Sequence, residues 1–261
     1  ALWDWSVTDL DGFWSAIWAF FDLRSSAPAT AVIDGRIMPG AHWFPGAQVN
    51  FASQILRQAA YTPHQTALIM QSETFGESQL TWQELSSQVA SVASRLRTMG
   101  VVQGDRVVAI LPNTEAALIA CLATASIGAI WSLCSPDMGH VAILDRFRQI
   151  EPKVLIAQDG YVHAGRMIDR RDVLAEIAGG LPTLEHQILI PALNDVPDGW
   201  ILWRDLLQDQ AVAEFAQVPF DHPLWVVYSS GTTGNPKPIL HGHGGIMLES
   251  AKQSLHQDLD S

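Results

Sequence analysis

A short run of glycine and hydroxyl residues that ends in a lysine is the part of the sequence best suited to chemistry. It occupies residues 229–237 and directly follows a β-type segment, residues 224–228. Glycine lets the backbone turn its amide groups inward, hydroxyls add short donors, and the lysine supplies a positive charge. We therefore predict a loop that binds the oxygens of a polyphosphate. Its predicted phosphate-binding residues are Ser229, Ser230, Gly231, Thr232, Thr233, Gly234 and Lys237.

The spacing of this run excludes the two common nucleotide-binding motifs. The pattern Gly-x-x-x-x-Gly-Lys-Ser/Thr requires glycine and a hydroxyl where this chain has Pro236 and Pro238. No Gly-x-Gly-x-x-Gly follows a predicted strand, so a dinucleotide fold has no support. A flexible turn is the structural alternative, but a lysine between two prolines is poor linker chemistry. His241 and His243 follow the loop and are predicted to line the start of a helix, without a third ligand nearby for a metal.

Strand-type and helix-type segments alternate through most of the chain. Short aliphatic runs predict buried strands, and longer segments with helical spacing predict helices, of which one begins at Thr81 with Glu84 as its capping-box partner. The predicted strands are residues 67–70, 107–111, 129–133, 153–157, 187–190 and 224–228, and the predicted helices are residues 81–99, 114–127, 141–150, 170–178 and 200–207. This order predicts an α/β fold with a largely parallel sheet and helices on both faces.

Composition and charge restrict the partners of the protein. The 261 residues are 48% hydrophobic and 16% charged, which is typical of a packed globular chain with one large domain or two ordinary ones. Asp and Glu outnumber Lys and Arg by 27 to 15, and the formal charge of -12 repels a phosphate backbone, so we predict no nucleic-acid partner. Cys121 and Cys134 match no metal or redox spacing, which predicts free thiols and a cytoplasmic location.

Two apolar stretches require a decision about membranes. Residues 2–23 contain acidic residues and no Lys or Arg, unlike a secretory signal. Residues 116–136 carry no charge, but their alanine content and Gly128 predict a helix followed by a buried strand rather than a membrane span. The first stretch is predicted to be a helix docked on the domain body, and we predict no membrane partner. The aromatic and aliphatic face of that helix is Phe13, Trp14, Ile17, Trp18 and Phe21.

The predicted phosphate loop resembles the phosphate-binding signature of the adenylate-forming superfamily, which includes acyl-CoA synthetases, luciferases and peptide-synthetase adenylation domains. Residues 81–85 and 104–109 are similar to early motifs of that superfamily, and residues 237–245 to the continuation of the loop in acetyl- and acetoacetyl-CoA synthetases. Pro238 departs from the pattern and removes one backbone donor after the lysine. Further segments resemble the acetoacetyl-CoA synthetase family in particular: residues 38–47, 135–137, 144–147, 149–155 and 159–161.

This resemblance implies ATP-dependent ligation of acetoacetate to CoA in two steps. Acetoacetate attacks the α-phosphorus of MgATP to give acetoacetyl-AMP and pyrophosphate, and the CoA thiol then displaces AMP. By the same resemblance, residues 230–234 hold the β- and γ-phosphates, Thr232 or Thr233 lies near Mg²⁺, and Lys237 neutralises charge on pyrophosphate. Arg166 is implied to lie near the CoA nucleotide, although His163 stands where relatives have arginine and a surface loop is the alternative.

The resemblance also implies a division of the chain. Residues 1–60 are expected to form an N-terminal helical cap of the acyl-CoA synthetase type, and residues 61–261 the first part of an AMP-binding domain. The later superfamily motifs do not occur before Ser261. We therefore expect no catalytic residue in this segment, which alone should be inactive and should self-associate through an exposed apolar seam. Another short-chain acyl-CoA synthetase and a degenerate, non-catalytic nucleotide-binding homologue are the alternatives.

Overall fold

A mostly parallel sheet with helices on both faces organises the protein. The structure is a computed structural model that describes residues 2–193, 196–229 and 234–257. Its helices are α1 (Leu2–Thr8), α2 (Leu10–Phe20), α3 (Phe51–Leu56), α4 (Trp82–Thr98), α5 (Glu115–Ile127), α6 (His140–Phe147), α7 (Arg171–Gly179), α8 (Trp203–Leu206) and α9 (His243–His256), with a 3₁₀ turn at Arg57–Ala60. Its strands are β1 (Ile33–Asp34), β2 (His42–Trp43), β3 (Gln48–Val49), β4 (Thr66–Ser72), β5 (Gly76–Thr81), β6 (Arg106–Ile110), β7 (Ile130–Cys134), β8 (Val154–Gln158), β9 (Gly160–His163), β10 (Arg166–Asp169), β11 (His186–Ile190), β12 (Ile201–Leu202), β13 (Val218–Pro219), β14 (Pro223–Ser229) and β15 (Lys237–Gly242).

The central sheet has seven strands in the order β12, β11, β8, β6, β7, β14 and β15. Neighbouring strands pair in parallel except β14 and β15, which are antiparallel. Every residue of β8 is buried, as expected for a strand covered on both faces. The predicted α/β fold is therefore confirmed, and the aliphatic runs that predicted it form the middle of the sheet.

The two faces of the sheet bury alternate residues of the same strands. Val107 and Ala109 of β6 pack with α4 and α5, whereas Val108 and Ile110 pack with α6 and α7. Alternation follows from the period of two in a strand. Both helical layers were predicted from the spacing of apolar residues, and the structure confirms them.

The ends of α4 and α5 follow the predicted local signals. Thr81 Oγ1 accepts the Glu84 N–H at 3.2 Å, and the Glu84 carboxylate accepts the Thr81 N–H at 2.8 Å, which completes the predicted capping box. Gly128 ends α5 with a φ of 77°, in the left-handed region that favours glycine. The capping box fixes where α4 begins, and Gly128 fixes where α5 ends and the chain returns to the sheet.

Two predicted elements differ from the structure, and one strand was not predicted. The strand predicted at residues 67–70 exists as β4, but it pairs with β5 in a separate antiparallel hairpin. The helix predicted at residues 200–207 was wrong in its first half, because residues 201 and 202 pair with β11 before α8 begins. β15 was not predicted, and Pro238 is its second residue. For β4 and for residues 201 and 202, the strand with which each pairs decided the conformation.

Helix α2 docks on the domain body, as the aromatic face predicted. Phe13 and Ile17 are buried, and they pack in one cluster with Phe220 of the body and with Met247 of α9. Phe44 lies between the two parts, with ring centroids 4.7 Å from Trp18 and 5.2 Å from Phe220. Within the part of the chain that the structure describes, no helix has the length and apolar character needed to cross a bilayer.

One buried amide joins three segments that are far apart in sequence. Asn50 Nδ2 donates to the carbonyl oxygen of Ala125 at 2.9 Å and to that of Ala216 at 2.8 Å. Asn50 Oδ1 accepts the Ser53 N–H at 3.1 Å and thereby caps α3. Because the side chain is 1% exposed, its donors and acceptor have no access to water. Asn50 therefore links α3, the end of α5 and the chain that leads into β14.

Candidate phosphate-binding site

The predicted phosphate loop connects the two strands of an antiparallel hairpin. Tyr228 lies opposite Pro238 and Ser229 lies opposite Lys237, so the connection begins and ends with a directly paired couple. Ser229 is the last residue of β14, Lys237 is the first residue of β15, and Gly234 lies in the connection between them. Gly234 has a φ of 99°, which only glycine adopts easily. The remaining predicted residues, Ser230, Gly231, Thr232 and Thr233, lie outside the described residues, as does the expectation that Thr232 or Thr233 lies near Mg²⁺.

The sheet positions the start of this loop. β14 pairs in parallel with β7 through Trp225 and Trp131, and the buried Ser132 hydroxyl donates to the Val226 carbonyl at 2.8 Å. The loop therefore leaves the sheet at the carboxyl ends of its parallel strands, where open α/β sheets bind ligands. The sequence predicted a strand followed by a loop, but it did not predict the return strand β15. The location of β15 explains how it accommodates Pro238, because β15 is the edge strand of the sheet, where proline is tolerated.

Lys237 is the lysine that remains available to a ligand. The chain has three lysines. Lys153 pairs with Asp105 at 3.3 Å and with Glu185 at 3.6 Å, and Lys252 pairs with Glu249 at 2.6 Å. Lys237 is exposed, and none of the ion pairs among the described residues includes it. A free ammonium group next to a glycine and hydroxyl loop can neutralise a phosphate without first breaking another ion pair.

A pair of histidines, one buried and one half-buried, lies at the base of the hairpin. His243 is the first residue of α9, is 0% exposed, and accepts the Phe51 N–H on Nδ1 at 3.1 Å. The His222 ring lies 5.8 Å from it and contacts the Gly128 carbonyl through Nε2 at 2.8 Å. Burial, followed by the nearby His222, lowers the pKa of His243 to about 3. His243 is therefore a neutral structural group, and the described residues contain no group of three or more metal-ligating side chains.

The residue predicted to contact CoA lies on a different loop at the same end of the sheet. Arg166 begins β10 and lies opposite His163 of β9, in an exposed hairpin that follows β8. Gly165 has a φ of 73° in the turn. β8 and β14 are parallel members of one sheet, separated by β6 and β7, so both loops leave the same edge. This is the arrangement of a surface loop, and a ligand that spans the sheet edge would reach both places.

Asp159 is a buried carboxylate whose role the sequence did not indicate. Its Oδ1 accepts the N–H groups of Ala192 at 2.6 Å and Leu193 at 3.2 Å, and its backbone carbonyl accepts the Arg170 N–H at 2.7 Å. Burial raises its pKa. Asp159 thus joins the β9–β10 hairpin to the chain after β11. The sequence predicted only a turn at Asp159 and Gly160, because the residues that bind the Asp159 side chain, Ala192 and Leu193, are more than thirty positions away.

Comparison with known proteins places this geometry in a family. The sequence model described as AMP-binding enzyme matches residues 55–260. The chain belongs to this family. A second model, described as acetyl-coenzyme A synthetase N-terminus, matches residues 1–55 of the chain.

Individual proteins that match this chain are named as CoA synthetases. The solved acetoacetyl-CoA synthetase from Streptomyces lividans matches with a TM-score of 0.96 and 50% identity, over 98% of this chain and 40% of that one. The acetoacetyl-coenzyme A synthetase of Rhizobium meliloti is 38% identical over 96% of this chain and 39% of its own length. The malonamoyl-CoA synthetase of Penicillium aethiopicum is 33% identical over 97% and 38%. The chain thus spans about two fifths of the length of the relatives that it matches.

The buried His243 predicts a pH-dependent stability. Between about pH 3 and pH 6.5 the unfolded chain binds a proton at this residue and the folded chain does not, so stability rises with pH across this window and falls on acidification. We expect the protein to lose on the order of 1 kcal/mol more than the His243→Gln variant between pH 6.5 and 5. Urea denaturation at a series of pH values measures the difference.

His241→Gln is the matched control, since His241 lies two residues earlier on β15. It should keep the pH dependence of the unmodified protein. Equal pH dependence in the unmodified protein and in His243→Gln would show that His243 is not buried as a neutral group.

Proposed function

We propose that this chain forms the phosphate-binding part of an ATP-dependent acid–CoA ligase, and that acetoacetate is the acid. The observation that carries the proposal is the placement of the exposed Lys237 opposite Ser229, where a glycine and hydroxyl loop leaves the carboxyl edge of the sheet. The 50% identity to the Streptomyces lividans acetoacetyl-CoA synthetase supports the choice of acid. The substrates are acetoacetate, MgATP and CoA, with Mg²⁺ entering as part of the nucleotide complex.

The reaction has two balanced steps. An acetoacetate oxygen bonds to the α-phosphorus of MgATP while the bond to the bridging oxygen breaks, which yields the acyl-adenylate and pyrophosphate. The CoA sulfur then bonds to the acyl carbon, AMP leaves, and the thiol proton is released. Both steps depend on orientation and on neutralising phosphate charge.

The loop residues share the work in the first step. Ser229, Gly234 and the four residues between them offer hydroxyl and amide donors to the β- and γ-phosphates, and Lys237 holds the charge that develops on pyrophosphate. By the family resemblance, Thr232 or Thr233 would lie near the Mg²⁺ of the nucleotide.

The organisation of the protein forms part of the proposal. Residues 1–60 are the N-terminal helical cap, and residues 61–261 begin the AMP-binding domain; the two family matches meet nearby, at residue 55. Cys121 and Cys134 are free. Because buried free thiols suit a reducing compartment, we place the protein in the cytoplasm.

The Lys237→Ala variant tests the assignment of the loop. In the native-length protein from its own cell, it should slow acid-dependent ATP–pyrophosphate exchange about 10- to 100-fold, because the positive charge that neutralises the leaving pyrophosphate is lost. Lys252→Ala is the matched control, since Lys252 already pairs with Glu249, and should leave the exchange unchanged. Unaltered exchange in Lys237→Ala would remove the proposed role of the loop.

The same exchange assay distinguishes the acids. Acetoacetate, acetate, propionate, butyrate and malonamate are run in parallel, the last because of the Penicillium aethiopicum relative. Fastest exchange with acetoacetate supports the proposal. Faster exchange with another acid would show that the protein is a related ligase with a different substrate. No exchange with any acid would favour the non-catalytic nucleotide-binding homologue.

Arg166 is proposed to bind the CoA nucleotide, since it is an exposed cation on the same sheet edge as the phosphate loop. Arg166→Ala should raise the KM for CoA about fivefold, the effect of losing one charged hydrogen bond, and leave ATP–pyrophosphate exchange unchanged. Arg36→Ala is the control, because Arg36 is an exposed arginine between β1 and β2, outside the seven-stranded sheet. An unchanged KM for CoA in Arg166→Ala would show that the hairpin is a surface loop without this role.

The 261-residue chain by itself is proposed to self-associate through β15. This edge strand exposes Ile239 by 42% and Leu240 by 57%, and its neighbour β14 exposes Val227 by 44%. An unpaired strand edge with apolar side chains pairs readily with a second copy in an antiparallel manner. Sedimentation velocity should show a larger species as concentration rises.

Two substitutions to lysine sharpen that measurement. Leu240→Lys should restore the monomer, because a charge on an edge strand opposes pairing. Val212→Lys, at an apolar residue that is 86% exposed away from the edge, should not. A monomer at every concentration would contradict the proposal.

A further inference from the structure

Helix α6 and the turn after it contact both sides of the phosphate-binding hairpin. On the incoming side, the Tyr228 hydroxyl donates to the Arg146 carbonyl oxygen at 2.7 Å. On the outgoing side, Gln149 Nε2 donates to the Pro236 carbonyl oxygen at 3.0 Å. Tyr228 directly precedes the predicted phosphate-binding residues, and Pro236 directly precedes Lys237. The two contacts therefore bracket the loop, and both partners belong to one short segment of chain.

We propose that Tyr228 and Gln149 are positioning residues that hold the two ends of the phosphate-binding loop on α6. This inference rests on the proposed function of the loop. It also assigns a role to part of the segment 144–152, whose sequence resembles the acetoacetyl-CoA synthetases and which contacts no phosphate in the mechanism above.

The Tyr228 contact has two components. Its hydroxyl binds the Arg146 carbonyl, and the Arg146 guanidinium carbon lies 5.7 Å from the centroid of the Tyr228 ring, within the range of a cation–π contact. Arg146 is itself held, because Nη1 donates to the Ala142 carbonyl at 2.6 Å. Burial raises the pKa of Tyr228 to about 12, so the hydroxyl keeps its proton and remains a donor at neutral pH.

The Gln149 contact is similarly anchored. The same amide nitrogen donates to the Asp145 carbonyl at 2.6 Å, one turn earlier, as well as to Pro236. An amide group has two N–H bonds, so both contacts can form together. The contact with Asp145 thus fixes the Gln149 side chain on α6. The same side chain donates to the Pro236 carbonyl, which is the one polar backbone group that a proline has.

These anchors matter because they add contacts at an edge of the sheet. β15 is an edge strand with a neighbour on one side only, and glycine and small polar residues dominate the sequence of residues 229–235. Ordering a binding segment costs free energy, and that cost lowers its affinity for a ligand. Holding both ends in advance reduces the cost and keeps Lys237 in register with Ser229.

The test is the KM for MgATP, measured by ATP–pyrophosphate exchange in the native-length protein. Tyr228→Phe keeps the ring and removes only the hydroxyl, and Gln149→Ala removes only the amide. Each should raise the KM for MgATP about threefold to tenfold, the effect of losing one hydrogen bond, and the double variant should show both effects multiplied. The KM for the acid and the thermal midpoint should stay at the values of the unmodified protein.

Matched controls separate positioning from general stability. Tyr61→Phe removes a hydroxyl that accepts from Arg24 at 2.7 Å, remote from the loop, and Gln83→Ala removes an exposed amide from α4. Both should leave every kinetic constant unchanged. If the KM for MgATP is unchanged in Tyr228→Phe and Gln149→Ala, or if it rises together with the KM for the acid while the thermal midpoint falls, the inference is overturned.

Lys237→Ala in the same assay distinguishes this failure from failure of the proposed function. Slow exchange in Lys237→Ala, with no effect in the two positioning variants, overturns the role of α6 alone. Normal exchange in Lys237→Ala overturns the phosphate-binding role of the loop and the inference with it.

Discussion

The hairpin that carries the phosphate loop depends on a buried polar junction beneath it. Asn50 donates to two backbone carbonyls from the end of α5 and from the chain before β14, and His243 accepts the backbone N–H of the residue that follows Asn50. Each contact joins segments at least seventy residues apart. Since buried backbone groups cost free energy when they lack partners, these side chains select the one arrangement that satisfies all of them. β14 begins a few residues from this junction, and β15 ends at it.

The upper end of the hairpin is held differently from its base. Below, buried side chains with no access to water fix the strands, whereas above, α6 contacts the loop through exposed or half-buried groups. The two ends of the hairpin are therefore held by different kinds of contact. The edge position of β15 contributes to this difference, because the strand has a neighbour on one side only.

Charge sets a second constraint. A chain with a formal charge of -12 repels an anionic nucleotide at long range, so attraction must be local. Neutral donors answer this requirement, because amides and hydroxyls bind phosphate oxygens without adding net charge to the fold. Ion pairs that occupy Lys153 and Lys252 leave Lys237 as the lysine available at the site. Arg166 offers a second cation on the same edge of the sheet.

The sequence by itself determined the features that depend on neighbouring residues: the aliphatic strands of the sheet, the capping box of α4, the glycine that ends α5, and the glycine and hydroxyl run before Lys237. These signals are local, since propensity, capping and turn chemistry act over a few residues. Tertiary structure alone decided the pairing of β4 with β5, the return strand β15 and the contacts of Asn50, Asp159 and Gln149. Each of these depends on a partner distant in the chain, and a proline in β15 or an Asp-Gly turn indicates nothing until that partner is in place.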